Sequence, residues 1–160
     1  MRVIGRTIEI DAPIDRVFAF VTDIRNHPSV VPPETREQVL DCGDGPMRVG
    51  TIVCLRARYG GITWSLSSRI AAFDPPVGPH SEAAYFRDEQ VNGPFAVWRH
   101  DHWFESNQPG ITRLTDRFTF SAPLGPFGWL AEQLCLTRRM VQLLEHIHSR
   151  QKLLIETERE

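Results

Sequence analysis

The sequence predicts an α+β fold in which a curved antiparallel sheet of about six or seven strands wraps around a long C-terminal helix. Short alternating stretches, separated by glycine and proline, occupy most of the 160-residue chain. A stretch with no proline follows near the C-terminus, and its apolar residues recur at helical spacing. A run of strands followed by a helix favours packing of that helix on one face of the sheet.

The first strand is predicted from Arg2 to Ile10, where apolar and polar residues alternate. Asp11-Ala12-Pro13 ends this strand and precedes a short helix. The buried side of that helix is predicted from its apolar residues, which are Val17, Phe18, Phe20 and Val21. His27-Pro28 and Pro32-Pro33 indicate an irregular connection or a second short helix.

The remaining elements follow in order along the chain. Further strands are predicted over Arg36 to Asp41, Thr51 to Tyr59, Ile62 to Phe73 and Ile111 to Ser121, with a hairpin over Phe86 to Phe104. A long helix is predicted from Phe127 to about Ile155. Its apolar side is marked by Phe127, Leu130, Leu134, Val141, Leu144 and Ile147.

One face of the predicted hairpin has an unusual composition. Its period-two positions combine aromatic with polar side chains, namely Phe86, Asp88, Gln90, Trp98, His100, His102 and Phe104. A core face would be apolar throughout, and a solvent face would not carry three aromatics. Apolar walls with a few placed polar groups are typical of a small-molecule pocket.

The register of this region depends on its turns. A three-residue connection at Asn92-Gly93-Pro94 pairs Asp88 with Trp98, and a connection centred on Gln108 pairs His100 with Asp116. His100 then lies between two carboxylates, which are expected to raise its pKa. A two-residue Asn-Gly turn would instead place Asp88 and His100 on opposite faces.

Composition excludes several classes of protein. The formal charge of −2, with no basic block, lacks the electrostatic pattern of nucleic-acid binding. The three cysteines are far apart and form no CxxC pair; they are Cys42, Cys54 and Cys135. Neither a disulfide framework nor structural zinc is therefore predicted. A cytoplasmic location is expected. No signal peptide or membrane span is predicted. A single domain over 1–160 is expected, and homodimer formation is left open.

Several segments together resemble a known superfamily. Besides the hairpin, they are Ile10-x-Ala12-Pro13 with Val17-Phe18-x-Phe20-Val21-x-Asp23, Asp74-Pro75-Pro76, Thr112-x-Leu114-Thr115-Asp116 and Pro123-x-Gly125-x-x-Gly128. The chain resembles the START and birch-pollen-allergen superfamily (SRPBCC, helix-grip), in particular its bacterial ligand-binding and polyketide cyclase/dehydrase-like branch. This resemblance implies a cavity for a hydrophobic or amphipathic small molecule. It does not determine the activity, because binders, lipid carriers and aromatase/cyclases share the fold.

The candidate pocket residues are the aromatic and polar side chains expected to face that cavity: Arg56, Trp64, Phe86, Asp88, Gln90, Trp98, His100, His102, Asp116 and Phe118. The polar members can form a structural network, orient a ligand or act as acid and base. The His100-x-His102 spacing suits metal ligation on a strand, but the resemblance supplies no precedent, and no metal or other cofactor is predicted. His146 and His148 do not face together on a helix, so no site is predicted there.

Three functions are compatible with these residues. The first is binding of a hydrophobic small molecule. The second is a polyketide aromatase/cyclase or dehydratase in which His100 or a pocket arginine moves a proton or polarises a carbonyl. The third is a regulatory interaction module whose cavity is vestigial.

Overall fold

A seven-stranded antiparallel sheet forms the centre of the protein. The computed structural model describes residues 1–41, 46–59, 61–123 and 136–157, and in these ranges the strand order is β1-β7-β6-β5-β4-β3-β2. The strands are β1 (Arg2–Ile10), β2 (Gln38–Asp41), β3 (Ile52–Tyr59), β4 (Ile62–Asp74), β5 (Ala83–Asn92), β6 (Val97–Gln108) and β7 (Ile111–Ser121). The β4–β5 ladder contains two register shifts that mark bulges, one with its extra residue in β5 and one with its extra residue in β4; bulges bend a strand and increase its twist.

The helices of the described ranges lie before β2 and after β7. They are α1 (Ile14–Thr22), α2 (His27–Val30) and α3 (Thr137–Thr157), and the 3₁₀ turns Ile24–Asn26 and Pro33–Thr35 flank α2. The two short helices predicted after the first strand are confirmed. The predicted beginning of the long helix at Phe127 lies outside the described residues, as do Leu130 and Leu134. No helix in the described ranges is both long and apolar enough to span a lipid bilayer.

Helix α3 packs on the concave face of the sheet, as predicted. Near its beginning, Met140 and Leu144 are buried against Phe118 and Phe120 of β7. Near its end, Ile155 belongs to the core cluster that joins α1 to β1 and to strands β4 to β7. Burial of these apolar side chains holds the helix on the sheet, because each contributes about 1.5–3 kcal/mol.

The pairing registers of the β5–β6 and β6–β7 hairpins are each shifted by two residues from the predicted ones. Asp88 pairs with His100 instead of Trp98, and His100 pairs with Phe118 instead of Asp116. The β5–β6 turn is longer because the Gln90 amide donates to the carbonyl of Phe95 and accepts from its N–H. A bulge near Glu105 lengthens the β6–β7 connection. An even shift keeps every side chain on its predicted face.

Candidate functional site

A group of three histidines and two aspartates lies between the sheet and α3. We call Asp88, His100, His102, Asp116 and His148 the His–Asp cluster. Asp88 is on β5, both neighbouring histidines are on β6, Asp116 is on β7, and His148 reaches the group from α3. The strand residues meet because Asp88 pairs with His100, and His102 with Asp116, in adjacent ladders.

Asp116 joins the sheet to the helix. Its side chain is 1% exposed; Oδ2 is 2.7 Å from His148 Nε2, and Oδ1 is 2.7 Å from His102 Nδ1. The first contact is a hydrogen bond, whereas the second is a close ion pair whose orientation falls outside hydrogen-bond geometry. Burial would raise the pKa of Asp116, but His102 and His148 hold it well below its usual range. Asp116 is therefore ionised at neutral pH.

His102 and His100 have opposite pKa shifts. Burial would lower the pKa of His102, but the Asp116 and Asp88 carboxylates outweigh it and raise this pKa to about 9. Burial, together with the positive charge of His102, lowers the pKa of His100 to about 3. The predicted rise in the pKa of His100 is therefore wrong. The proton is on His102, because His102 Nδ1 lies 2.7 Å from Asp116 Oδ1, whereas His100 Nε2 lies 3.7 Å from the same oxygen.

Asp88 faces both histidines from the other side. Its Oδ1 lies 3.7 Å from His100 Nδ1 and 3.7 Å from His102 Nε2, while Trp98 Nε1 donates to its Oδ2 at 3.3 Å. Burial would raise the pKa of Asp88, but His102 and His100 lower it further, so Asp88 is also ionised. At neutral pH the cluster holds two carboxylates, one imidazolium and one neutral imidazole from its sheet residues.

Aromatic rings surround the polar atoms. Phe86 stacks on His102 with ring centroids 3.9 Å apart, and Phe118 lies 4.0 Å from the ring of His100. Trp98 continues this wall, 4.8 Å from Phe118 and 4.8 Å from Phe95. The cluster is therefore placed next to a continuous apolar surface.

Three of the candidate pocket residues lie outside the His–Asp cluster and have other surroundings than predicted. Arg56 is exposed and pairs with Ser65, on the face of the sheet opposite to the cluster, which corrects its assignment to the pocket. Trp64 is on the concave side but at its outer end and 40% exposed. Gln90 binds the backbone of Phe95, so its amide stabilises the turn.

His148 was not predicted as a site residue. The sequence led only to the prediction that His148 does not face His146 on a helix. A signal was nevertheless present, because the buried residues Leu144, His148, Gln151 and Ile155 follow each other at intervals of four, three and four residues. A histidine on the stripe that faces the sheet must find a polar partner there.

The arrangement supports three kinds of chemistry. The imidazolium and carboxylates can orient a polar group of a ligand, and two histidines in different protonation states can act as acid and base. Donor atoms of Asp88, His100 and His102 lie within 4.8 Å of one another, so this trio could hold a metal ion.

Comparison of the fold with solved structures identifies several proteins that share it. The TTHA0849 protein from Thermus thermophilus is 16% identical over 99% of this chain and 100% of its own, with a TM-score of 0.74. A START superfamily protein from Mycobacterium smegmatis is 15% identical over 97% of each chain, with a TM-score of 0.69. The Zhui aromatase/cyclase from a Streptomyces species is 18% identical over 95% of this chain and 87% of its own, with a TM-score of 0.55.

Comparison of the sequence gives the family. Among curated proteins, none matches this chain. The family model described as polyketide cyclase / dehydrase and lipid transport matches residues 1–150, nearly the whole chain. The START superfamily structure shares the helix-grip fold with this chain. The match of the family model means that the chain belongs to the polyketide cyclase / dehydrase and lipid transport family.

Proposed function

We propose that the protein binds a hydrophobic or amphipathic small molecule between the concave face of the sheet and α3. The observation that carries this proposal is the position of the His–Asp cluster beside the aromatic wall of Phe118 and Trp98. Apolar walls bury most of a ligand, and a few polar groups determine its orientation. The family description, which includes lipid transport, is consistent with this class of ligand.

The hydrogen bonding of the cluster favours a ligand over a purely structural role. In a structural network nearly all buried polar groups satisfy one another. Within the cluster, His100 Nε2 is buried without a hydrogen-bond partner, and the nearest carboxylate oxygen, Asp116 Oδ1, is 3.7 Å away. This unfilled nitrogen supports a role in contacting a polar group of a bound molecule.

Tryptophan fluorescence tests the proposal directly. The protein is titrated with a fluorescent fatty acid and with a planar polycyclic aromatic, and we expect saturable quenching of Trp98. His100→Ala should weaken binding at least tenfold while it remains folded by circular dichroism. His80→Gln is the matched control, because His80 is an exposed histidine of the β4–β5 loop.

Two results would contradict the proposal. One is the absence of saturable binding to the wild-type protein for both probes. The other is a crystal structure in which side chains fill the space beside Trp98 to ordinary core density, which would favour a regulatory module with a vestigial cavity.

A second candidate function is polyketide cyclisation or dehydration. The observation that favours it is the contrast between His102, whose pKa is raised to about 9, and His100, whose pKa is lowered to about 3. His102 can supply a proton. His100 is unprotonated and can accept one as His102 gives up its charge, since the positive charge of His102 is part of what lowers the pKa of His100. An oligo-β-ketone thioester should yield an aromatic product in the presence of the protein, and His102→Gln should abolish it. Product formation at the uncatalysed rate would exclude this candidate.

A further inference from the structure

We propose that Asp88, His100 and His102 form a binding site for a divalent first-row transition metal ion, with zinc as its resident ion. The inference goes beyond small-molecule binding, since it concerns the protein without any organic ligand. Two imidazoles and one carboxylate are a ligand set that suits zinc and its neighbours better than magnesium or calcium.

The spacing of the donor atoms fits such an ion. His100 Nδ1 and His102 Nε2 each lie 3.7 Å from Asp88 Oδ1, and all three residues offer donors within 4.8 Å of one another. Ligands about 2.0–2.1 Å from a tetrahedral ion are about 3.3 Å apart. Small side-chain rotations therefore bring the three atoms to coordination distance. The incoming ion takes the place of the proton on His102 Nε2, so that His102 binds it as a neutral imidazole.

The three donor atoms face one another across a small gap. Asp88 Oδ1 lies 3.7 Å from His100 Nδ1 and 3.7 Å from His102 Nε2, longer than an ordinary hydrogen bond. The side chains of His100 and His102 are 13% and 9% exposed, so the trio is largely shielded from solvent. Two imidazole nitrogens and a carboxylate oxygen that converge in this way form the arrangement that a cation would complete.

Surrounding side chains already hold the donors in orientation. Asp116 Oδ1 lies 2.7 Å from His102 Nδ1, the nitrogen opposite to the proposed ligand atom. Metal-binding histidines almost always present their second nitrogen to a carboxylate or carbonyl in this way. Trp98 Nε1 donates to Asp88 Oδ2 at 3.3 Å and so fixes the orientation of this carboxylate. His148 in turn anchors Asp116.

Three protein ligands leave a coordination position open. Structural zinc sites usually have four protein ligands, whereas a site with three retains a position for water or a ligand oxygen. Phe86 stacks on His102, and the ring of Phe118 lies tilted 4.0 Å from that of His100, so the trio adjoins the aromatic wall. The ion would add a Lewis acid to the polar end of the proposed ligand site.

Cobalt titration tests the site without a ligand. Chelator-treated protein that carries no polyhistidine tag is titrated with Co²⁺, and visible d–d absorption is followed. We expect saturation at one ion per chain and displacement by Zn²⁺. His102→Gln and the nearly isosteric Asp88→Asn should each raise the Kd at least 100-fold. Asp116→Asn, which leaves the three proposed ligands in place but weakens the carboxylate support behind His102 and His100, should raise it about 10–100-fold.

His80→Gln is the control and should leave the Kd unchanged. Circular dichroism of each variant establishes that it is folded, and Zn²⁺ should raise the Tm of the wild type, a readout that needs no variant. The proposal is overturned if the wild type shows no stoichiometric Co²⁺ spectrum, or if His102→Gln and Asp88→Asn bind as His80→Gln does. Neither result depends on whether an organic ligand binds, so the two proposals can fail separately.

Discussion

Asp101 is a fully buried carboxylate on the face of the sheet opposite to the His–Asp cluster. Its Oδ1 accepts hydrogen bonds from Tyr85 Oη and Arg87 Nε, both at 2.6 Å, and Arg117 lies 3.5 Å from Oδ2. The Arg117 guanidinium also covers the ring of Trp103 at 4.6 Å. Three donors thus replace the water that a buried carboxylate loses, so that this charge stabilises the outer face.

We expect the stability contribution of Asp101 to depend on pH. Burial would raise the pKa of Asp101, but its bonds to Tyr85 and Arg87 lower it more. A depressed folded-state pKa stabilises the protein above the ordinary aspartate value of about 4, and this gain is lost as the pH falls through the folded value. Asp101→Asn should lower the free energy of unfolding by about 1–3 kcal/mol at pH 7 and by less at pH 3. Urea unfolding at the two pH values measures the difference, and an equal effect at both would contradict the assignment.

Asp116 is the second buried carboxylate. Its partners are His102 and His148, whereas the partners of Asp101 are a tyrosine and two arginines. Asp116→Asn leaves the His102 imidazolium with a weaker partner and should lower the free energy of unfolding by about 3 kcal/mol in chelator-treated protein. Asp74→Asn is the matched control, since Asp74 is exposed at the end of β4, and it should change stability by less than about 0.5 kcal/mol. Chemical denaturation of both variants measures the two free energies of unfolding. Equal stability of the two would show that the buried pair carries no net stabilisation.

Among the elements, α3 connects the core to the site. Its buried stripe is apolar at Met140, Leu144 and Ile155 but polar at His148 and Gln151. The helix thus supplies both the hydrophobic contacts with β7 and the hydrogen bond to Asp116. Exact placement of the helix along the sheet therefore affects packing and the His–Asp cluster together.

A pair of leucines on α3 tests its packing. Leu144 is 0% exposed and Leu153 is 53% exposed. Leu144→Ala should lower the free energy of unfolding by about 2–5 kcal/mol, because it removes buried methyl groups and leaves a cavity. Leu153→Ala should change it by less than about 0.5 kcal/mol, since alanine is an equally good helix former. Thermal and urea melts compare the two, and similar losses would argue against burial of α3 on the sheet.

The whole molecule is held together by contacts between distant parts of the chain. Strand β1 pairs along its full length with β7, which brings the beginning of the chain to the last strand. Helix α3 then binds back to the N-terminal region: Arg6 contacts Glu145, Lys152 donates to the carbonyl of Glu9, and Arg16 donates to that of Ile155. Unfolding of either end would therefore expose the core of the other.

We expect a single cooperative transition for this reason. Far-ultraviolet circular dichroism reports the sheet and α3, while fluorescence of Trp98 and Trp103 reports the two faces of β6. The two urea curves should coincide within error, as in two-state unfolding of single domains. A fluorescence transition that precedes the loss of helix would instead indicate that the sheet and α3 unfold separately.

The sequence by itself determined the elements and their faces. The bounds predicted for β1 and β7 agree with the structure, because period-two alternation and the flanking turns are local signals. Alternation also assigned Asp88, His100 and His102 to one face beside Phe86. This assignment was insensitive to the register, since the actual shift of two residues returns each side chain to the same side.

Only the tertiary structure decided which of these residues meet and how they are charged. The register depends on Gln90 binding the backbone of Phe95, and the proton lies on His102 because Asp116 is nearest to it. His148 joins the cluster from 32 residues further along the chain than Asp116. Arg56 faces away because it pairs with Ser65, whereas the neighbouring pair Ala57 and Trp64 faces the concave side. Pairwise distances between side chains on different elements determine pKa values and coordination, and they exist only once the sheet and α3 are packed together.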